Sequence, residues 1–221
     1  MRAHYHGVIT LMLPEPIIRR LGRHQDYLSI LHAMQAFTQA CDSTTADEIW
    51  LLEHAPIYTL GQNAKPEHLL NTQGIPVVST DRGGQVTYHG PGQLVVYPLL
   101  NLQRLHLKVR ELVSAIEQAI ILLLADYGVV ANAQAKAPGV YVDSKKIAAL
   151  GLRIRHGRCY HGLSLNVNMD LSPFEGINPC GYADLKVTQL HDLNAKADVG
   201  NVADQLIKHL TAQLGYTMQY D

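Results

Sequence analysis

Cysteine is scarce in this chain. The three cysteines among 221 residues are Cys41, Cys159 and Cys180, an odd number that forms no CxxC pair. A disulfide framework is therefore not expected. The simplest compartment for such a protein is a reducing cytoplasm.

Long apolar runs and an excess of charge are also missing. No apolar run approaches the roughly 20 residues that a membrane-crossing helix needs, so no membrane partner is predicted. The formal net charge is -1, without the basic excess typical of a protein that binds nucleic acid. Hydrophobic residues nevertheless make up 47% of the chain, which favours a folded globular protein over a disordered one.

Repeats, low-complexity tracts and Ser/Pro-rich linkers are absent too, which favours one continuous domain over residues 1–221. Apolar periodicity predicts three helices, over about 25–39, 109–127 and 202–214. Their predicted inward-facing residues are Leu28, Leu31 and Met34 in the first helix, Val109, Leu112, Val113, Ile116, Ile120, Leu123 and Leu124 in the second, and Val202, Leu206, Leu210 and Leu214 in the third.

Short β-rich runs lie between these helices. The predicted strands are 48–53, 76–79, 93–99, 139–143, 147–154 and 160–168. Only turns separate the last three, which favours antiparallel pairing among them. A mixed sheet flanked by a few long helices, an α+β fold, is therefore favoured over a doubly wound sheet.

The densest candidate site is the segment 81–93. It holds four glycines and one proline, interleaved with Arg82, Thr87, Tyr88 and His89. A plain turn would explain the glycines alone, but glycine also permits close approach of backbone to a ligand. No Gly-Lys-Ser/Thr follows and no GxGxxG opens a helix, which excludes the common nucleotide-binding loops.

Two lysines precede the apolar run that begins at Ile147. Lys145 and Lys146 would ordinarily be solvated, as lysines at turns usually are. A lysine at the mouth of an apolar strand can instead be partly desolvated, which changes its acid–base behaviour. Both interpretations of Lys146 remain open at this point.

Cys180 differs from the other two cysteines. It lies between Pro179 and Gly181 in a polar turn, where a thiol is a credible nucleophile if its pKa is lowered. Cys41 and Cys159 are predicted to be small core residues.

The twelve histidines show no HExxH or similar metal-ligand spacing, so no metal site is predicted. His89 and His161 are the two of interest, because each adjoins a glycine beside a candidate site segment. Their roles remain open.

Four segments together resemble the lipoyl(octanoyl) transferase family. They are RGGQVTYHGPGQ at 82–93, KIAALGLRI at 146–154, HGLSLNVNMDL at 161–171 and INPCG at 177–181, in the order found in the family. The resemblance implies a mixed sheet flanked by helices, similar to the catalytic core of biotin and lipoate protein ligases. It also implies an acyltransferase that needs no cofactor.

The same resemblance assigns residues and partners. Cys180 is implied to be the nucleophile that carries the acyl thioester, and Lys146, rather than Lys145, its activating partner. The implied partners are octanoyl-acyl carrier protein as donor, and lipoyl domains of 2-oxoacid dehydrogenases and the H protein of glycine cleavage as acceptors. The implied substrate-binding residues are Arg82, Gly83, Gly84, Gln85, Val86, Thr87, Tyr88, His89, Ala149, Leu150, Gly151, Gly162, Leu163 and Ser164.

Two other functions remain open. An ATP-dependent lipoate or biotin protein ligase of similar fold would adenylate a free acid and would need no cysteine nucleophile. A non-catalytic module could instead bind acyl carrier protein or a lipoyl domain. Acyl transfer without ATP would distinguish the transferase from both alternatives.

Overall fold

The computed structural model describes residues 13–135, 137–181, 185–194 and 196–216, apart from the side chain of Cys180. The strands are β1 (Ile17–Gln25), β2 (Glu48–His54), β3 (Ile57–Leu60), β4 (Val77–Ser79), β5 (Val86–His89), β6 (Gln93–Asn101), β7 (Asn132–Ala133), β8 (Gly139–Val142), β9 (Lys145–Arg155) and β10 (Arg158–Asn166). The α-helices are α1 (Tyr27–Ala40), α2 (Val109–Asp126), α3 (Leu190–Leu193) and α4 (Val199–Gln213).

The strands form one large and one small sheet. The large sheet has the order β1-β2-β6-β10-β9-β8-β7, in which β1 and β2 are parallel and the other neighbours are antiparallel. The small sheet has the order β4-β3-β5, with one parallel and one antiparallel pair. The mixed sheet and the antiparallel run of β8, β9 and β10 confirm the predicted fold class.

Both faces of the large sheet are covered. Along β6, Leu94 and Val96 face the cluster that α2 and α4 pack against, whereas Val95 and Tyr97 face the cluster built around α1. This alternation follows from the two-residue period of a strand. It explains why the middle of the sheet is apolar at nearly every position, since neither face meets water.

The helices begin at identifiable caps. The Asp26 carboxylate accepts a hydrogen bond of 2.8 Å from the Ser29 amide at the start of α1, and the Glu111 carboxylate accepts one of 2.7 Å from the Lys108 amide at the start of α2. Each bond satisfies an amide that the helix itself leaves without a partner. Among the helices of the described residues, none is both long enough and apolar enough to cross a membrane.

Two predicted inward-facing residues are wrong. Leu28 is 42% exposed and Val109 is 45% exposed. In α1 the inward place at that turn belongs to Tyr27, and successive helical residues are rotated by about 100°, so Leu28 points away. Val109 is the first residue of α2 and lies before its buried stripe, which begins at Leu112. The four inward residues predicted for α4 are all buried.

Candidate active site

A central cavity lies between β5 of the small sheet and strands β9 and β10 of the large sheet. It contains twelve of the fourteen residues that the sequence assigned to substrate binding, all but Gly83 and Tyr88. The lining consists of Tyr27, Arg82, Gly84, Gln85, Val86, Thr87, His89, Val95, Tyr97, Ala149, Leu150, Gly151, His161, Gly162, Leu163 and Ser164.

The two remaining predicted residues lie elsewhere. Gly83 lines a groove beside the central cavity. The Tyr88 ring packs under the small sheet against Tyr58 and Phe174, with ring centroids 5.5 and 5.6 Å apart. Burial raises the pKa of Tyr88 to about 12. Because side chains alternate along β5, Tyr88 faces away from Thr87 and the cavity.

Four lining residues had no assigned role. Tyr27 begins α1, Val95 and Tyr97 lie on the α1 side of β6, and His161 lies in β10. His161 stood out in the sequence only because a glycine follows it. The other three belong to no local motif, and the fold brings them to the cavity from separate elements.

Arg82 organises the glycine segment. Its guanidinium donates to the carbonyl and hydroxyl oxygens of Thr59 at 2.6 and 2.8 Å, to the Gln85 carbonyl at 2.8 Å and to the Gly83 carbonyl at 2.9 Å. Gly84 has a φ of +90°, a conformation that glycine adopts without steric cost. The arginine therefore holds the loop in the shape that forms one wall of the cavity.

His54 fixes the hydroxyl of Tyr97, another residue that lines the cavity. Its Nδ1 lies 3.0 Å from the Gln25 carbonyl, and its Nε2 lies 2.7 Å from the Tyr97 hydroxyl. A carbonyl can only accept, so Nδ1 carries the proton and Nε2 accepts from Tyr97. Burial lowers the pKa of His54 to about 4, which keeps the ring neutral.

His89 is fixed by a longer hydrogen-bond chain. Asn166 Nδ2 donates to the Thr188 carbonyl at 3.0 Å, and Gln93 Nε2 donates to Asn166 Oδ1 at 3.0 Å. Gln93 Oε1 then accepts from His89 Nδ1 at 2.7 Å. Burial lowers the pKa of His89 to about 3. His89 is therefore a neutral imidazole whose Nε2 carries a lone pair.

These two histidines predict a pH-dependent stability. Unfolding returns each ring to a pKa near 6.5, whereas the folded values are about 4 and about 3. The unfolded state binds more protons in this window, so stability should fall as pH drops below about 6.5, by up to about 1.4 kcal/mol per pH unit for each histidine.

Urea unfolding at several pH values between about 7 and 4.5 measures this effect. His54→Gln removes one of the buried rings whose pKa is lowered, so the free energy of unfolding of this variant should fall less steeply with acidification than that of the wild type. Parallel curves for the two proteins would contradict the contribution of His54.

Lys146 is buried in the sheet, whereas Lys145 is exposed. Lys146 is only 4% exposed. Its ammonium donates to the Pro138 carbonyl at 3.1 Å and lies 5.2 Å from the centre of the Tyr141 ring. Both lysines belong to β9, whose alternation turns one outward and the next inward.

The turn that carries Cys180 is fixed through its backbone. Residues 179–181 form a 3-10 turn that contacts β5. The Asn178 amide donates to the His68 carbonyl at 2.9 Å, and the Gly181 amide donates to the Asn178 carbonyl at 2.9 Å. The described residues do not include the Cys180 side chain, so the predicted pairing of its thiol with Lys146 stays a prediction.

Chain connectivity limits how far this turn can lie from Lys146. The Lys146 amide donates to the Lys186 carbonyl at 2.9 Å, and Lys186 follows Cys180 by six residues (186 − 180 = 6). Such a segment spans at most about 20 Å. A methyl group on Gly181 would lie 3.4 Å from Cδ of Gln85, and Gln85 lines both the central cavity and the groove that Lys146 lines.

A smaller space lined by Lys146 adjoins the central cavity and shares Thr87, Ala149 and Ser164 with it. Together the two spaces have mostly apolar walls and a buried amine near one end. Among the described residues, no group of three or more His, Cys, Asp or Glu side chains is placed to hold a metal ion.

The sequence matches a known family over most of its length. Residues 26–211 match the lipoyl protein ligase A/B catalytic domain. An octanoyltransferase of Dechloromonas aromatica is 60% identical over 199 residues, which cover 90% of this chain and 97% of that protein.

Solved structures share the fold at low sequence identity. A bipartite lipoate protein ligase of Thermoplasma acidophilum, solved in a study that includes its E2 lipoyl domain, superposes with a TM-score of 0.75 at 16% identity, covering 94% of this chain and 86% of that one. The biotin protein ligase of Aquifex aeolicus in complex with biotin and ATP gives 0.58 at 14% identity, covering 90% and 70%. These likenesses confirm the ligase-like fold expected from the sequence.

Proposed function

The chain belongs to the octanoyltransferase family and contains a lipoyl protein ligase A/B catalytic domain, and from this premise we propose that it transfers an octanoyl group from acyl carrier protein to a lysine of a lipoyl domain. Acceptors of this class are the lipoyl domains of 2-oxoacid dehydrogenases and the H protein of glycine cleavage. The acyl group is carried between them as a thioester on Cys180.

One observation carries the proposal most directly. Lys146, a lysine with 4% exposure, lines a small space that adjoins the cavity between the two sheets, and the Lys146 backbone is hydrogen-bonded to the segment that follows Cys180. A mostly apolar channel suits an alkyl chain, and the buried amine stands where the carbonyl end of that chain would lie.

In the first half-reaction, the Cys180 thiolate attacks the thioester carbon of the donor. A new carbon–sulfur bond forms, the bond to the phosphopantetheine sulfur breaks, and the departing thiolate takes a proton from the Lys146 ammonium. A nearby cation favours the thiolate form of Cys180 before this attack. No ATP is required, because one thioester replaces another.

In the second half-reaction, the acceptor lysine attacks the same carbon as a neutral amine. The amide bond forms, the bond to Cys180 breaks, and the proton of the amine passes to Lys146, which the first step left neutral. The enzyme returns to the thiolate–ammonium state in which it began. One lysine thus serves as proton donor in the first step and as acceptor in the second.

The proposal is tested with purified protein, octanoyl-acyl carrier protein and an apo lipoyl domain, without ATP. A mass increase of one octanoyl group on the domain is expected. A ligase would require ATP and free acid, and a binding module would give no product under either condition. Incorporation that depends on ATP and free octanoate would overturn the proposal.

A further inference from the structure

His161 has an unusual backbone conformation. Its φ is +57°, a left-handed value that costs a residue with a Cβ atom about 1–2 kcal/mol. This backbone conformation places the rings of Tyr160 and His161 on the same face of β10, where they stack with ring centroids 5.1 Å apart. Regular alternation would have sent His161 to the opposite face. The strained backbone thus delivers an imidazole to the central cavity.

Asp81 fixes the proton of this imidazole. Its carboxylate lies 2.8 Å from His161 Nε2 and also accepts from the Tyr160 hydroxyl. The hydrogen bond from His161, and after it the bond from Tyr160, hold the pKa of the Asp81 carboxyl well below its usual range. Burial lowers the pKa of His161, which favours the neutral ring. Because a carboxylate only accepts, Nε2 of the neutral ring carries the proton and Nδ1 presents a lone pair.

That lone pair is buried without a partner. The His161 side chain is 1% exposed, and within the described part of the chain no donor reaches its Nδ1. Asp81 does not line the central cavity, whereas His161 does. A buried acceptor left unsatisfied carries a substantial desolvation cost, which a donor inside the cavity would remove.

The Tyr27 hydroxyl is a second buried polar atom of the same cavity. Burial raises its pKa, and the side chains of Thr80 and Tyr97 lie within reach of the hydroxyl and lower it, but among the described residues none forms a hydrogen bond of acceptable geometry with it. Tyr97 lies close to both residues, because its ring centroid is 6.3 Å from that of His161 and its side chain interacts with the Tyr27 hydroxyl. The cavity therefore offers an acceptor on one side and a hydroxyl donor on the other.

The His161 end of the central cavity lies away from the space that Lys146 shares with it. His161 pairs with Leu152 of β9, whereas the row that the cavity shares with the Lys146 space is Ala149 and Ser164. Three residues of strand separate the two rows, about 10 Å. An extended octanoyl chain whose carbonyl carbon lies beside Ala149 and Ser164 would end in this region.

We propose that the far end of the central cavity is a hydroxyl-binding subsite, which accepts medium-chain acyl groups that carry a terminal hydroxyl. The hydroxyl donates to His161 Nδ1 and accepts from the Tyr27 hydroxyl, which satisfies both atoms. With a plain octanoyl chain, a water molecule takes the same place. The inference rests on the proposed acyl-transfer function and extends its substrate class.

Three acyl groups with equal numbers of non-hydrogen atoms test the subsite. Nonanoyl ends in a methyl group, 8-hydroxyoctanoyl ends in a hydroxyl that can donate, and 7-methoxyheptanoyl places an acceptor without a proton one atom nearer the carbonyl. Each is loaded on acyl carrier protein and kcat/KM is compared. We expect the hydroxyl chain to exceed both others by about tenfold, the value of one hydrogen bond.

Two substitutions should reduce this ratio. Tyr27→Phe removes only the hydroxyl, and Asp81→Asn replaces the carboxylate with an amide that can donate to Nε2, which releases the tautomer of His161. In both we expect the ratio of hydroxyl to nonanoyl chain to fall to about threefold or less. Tyr58→Phe is the matched control, because its hydroxyl donates to the Pro173 carbonyl away from the cavity; its ratio should equal that of the wild type.

Binding to the subsite can also be measured independently of the transfer reaction. The three chains as free acids are also compared by the rise in melting temperature that each gives the wild type and the variants. A protein that transfers no acyl group yet is stabilised most by 8-hydroxyoctanoate would overturn the proposed function and support the subsite. Equal effects of the hydroxyl and nonanoyl chains in both assays, or equal ratios in Tyr27→Phe and Tyr58→Phe, would overturn the subsite.

Discussion

Replacing Cys180 with alanine should reduce acyl transfer by about a thousandfold or more, because no other group in the proposed mechanism can carry the acyl chain. The fold should survive the change. The turn is held by backbone hydrogen bonds from Asn178 and Gly181, which an alanine at position 180 leaves in place. Melting temperature and activity are measured on the same preparation.

Peptide mapping locates the acyl group directly. After incubation with octanoyl-acyl carrier protein and acid quenching, one octanoyl group is expected on the peptide that contains Cys180. Cys159 is fully buried, and burial raises the pKa of its thiol. Burial likewise raises the pKa of Cys41. Both thiols are therefore poor nucleophiles at neutral pH.

Cys41→Ala is the matched control and should retain activity, since Cys41 lies at the C-terminal cap of α1 away from the cavity. An octanoyl group on Cys41 or Cys159, or full activity in Cys180→Ala, would refute the thioester mechanism on Cys180. In that case the acyl group would have to pass directly from donor to acceptor or through another residue.

Local patterns were sufficient to predict several parts of this fold. The stripe that runs from Leu112 to Leu124 predicted α2 almost to its ends, because one buried face of a helix repeats every three to four residues. The apolar run from Ile147 likewise predicted β9. In the structure this strand begins at Lys145, so its alternation also decides which of the two lysines points inward.

Other parts depend on contacts distant in sequence. Strands β1, β3, β5 and β7 were not predicted. β1 contains four basic residues and lies at the edge of the large sheet, and β5 lies inside the glycine segment. Tyr27 and Tyr97 reach the cavity from α1 and β6, and their separation in the sequence does not indicate a site. The reversed direction of His161 follows from one positive φ, which an apolar pattern does not encode.

Replacing the buried Lys146 should strongly reduce acyl transfer. Lys146→Met keeps much of the side-chain length and removes the charge and the proton acceptor. Transfer to a lipoyl domain should fall by about 10²- to 10⁴-fold, the usual contribution of a general acid–base group. Lys145→Met is the matched control. Its side chain is exposed on the neighbouring residue of the same strand, so we expect nearly unchanged transfer.

The charge effect on Cys180 is measured separately from turnover. The rate of Cys180 alkylation by iodoacetamide follows the thiolate fraction, and a nearby ammonium should lower the pKa of the thiol. Removing that ammonium in Lys146→Met should raise the pKa, so the alkylation profile should move to higher pH and labelling at neutral pH should slow. Lys145→Met should follow the wild-type profile.

Superimposable profiles for the two variants, or a Lys146→Met profile that coincides with the wild type, would show that Lys146 does not activate Cys180. A loss of transfer in Lys146→Met without a shift in alkylation would assign to Lys146 the proton transfers alone.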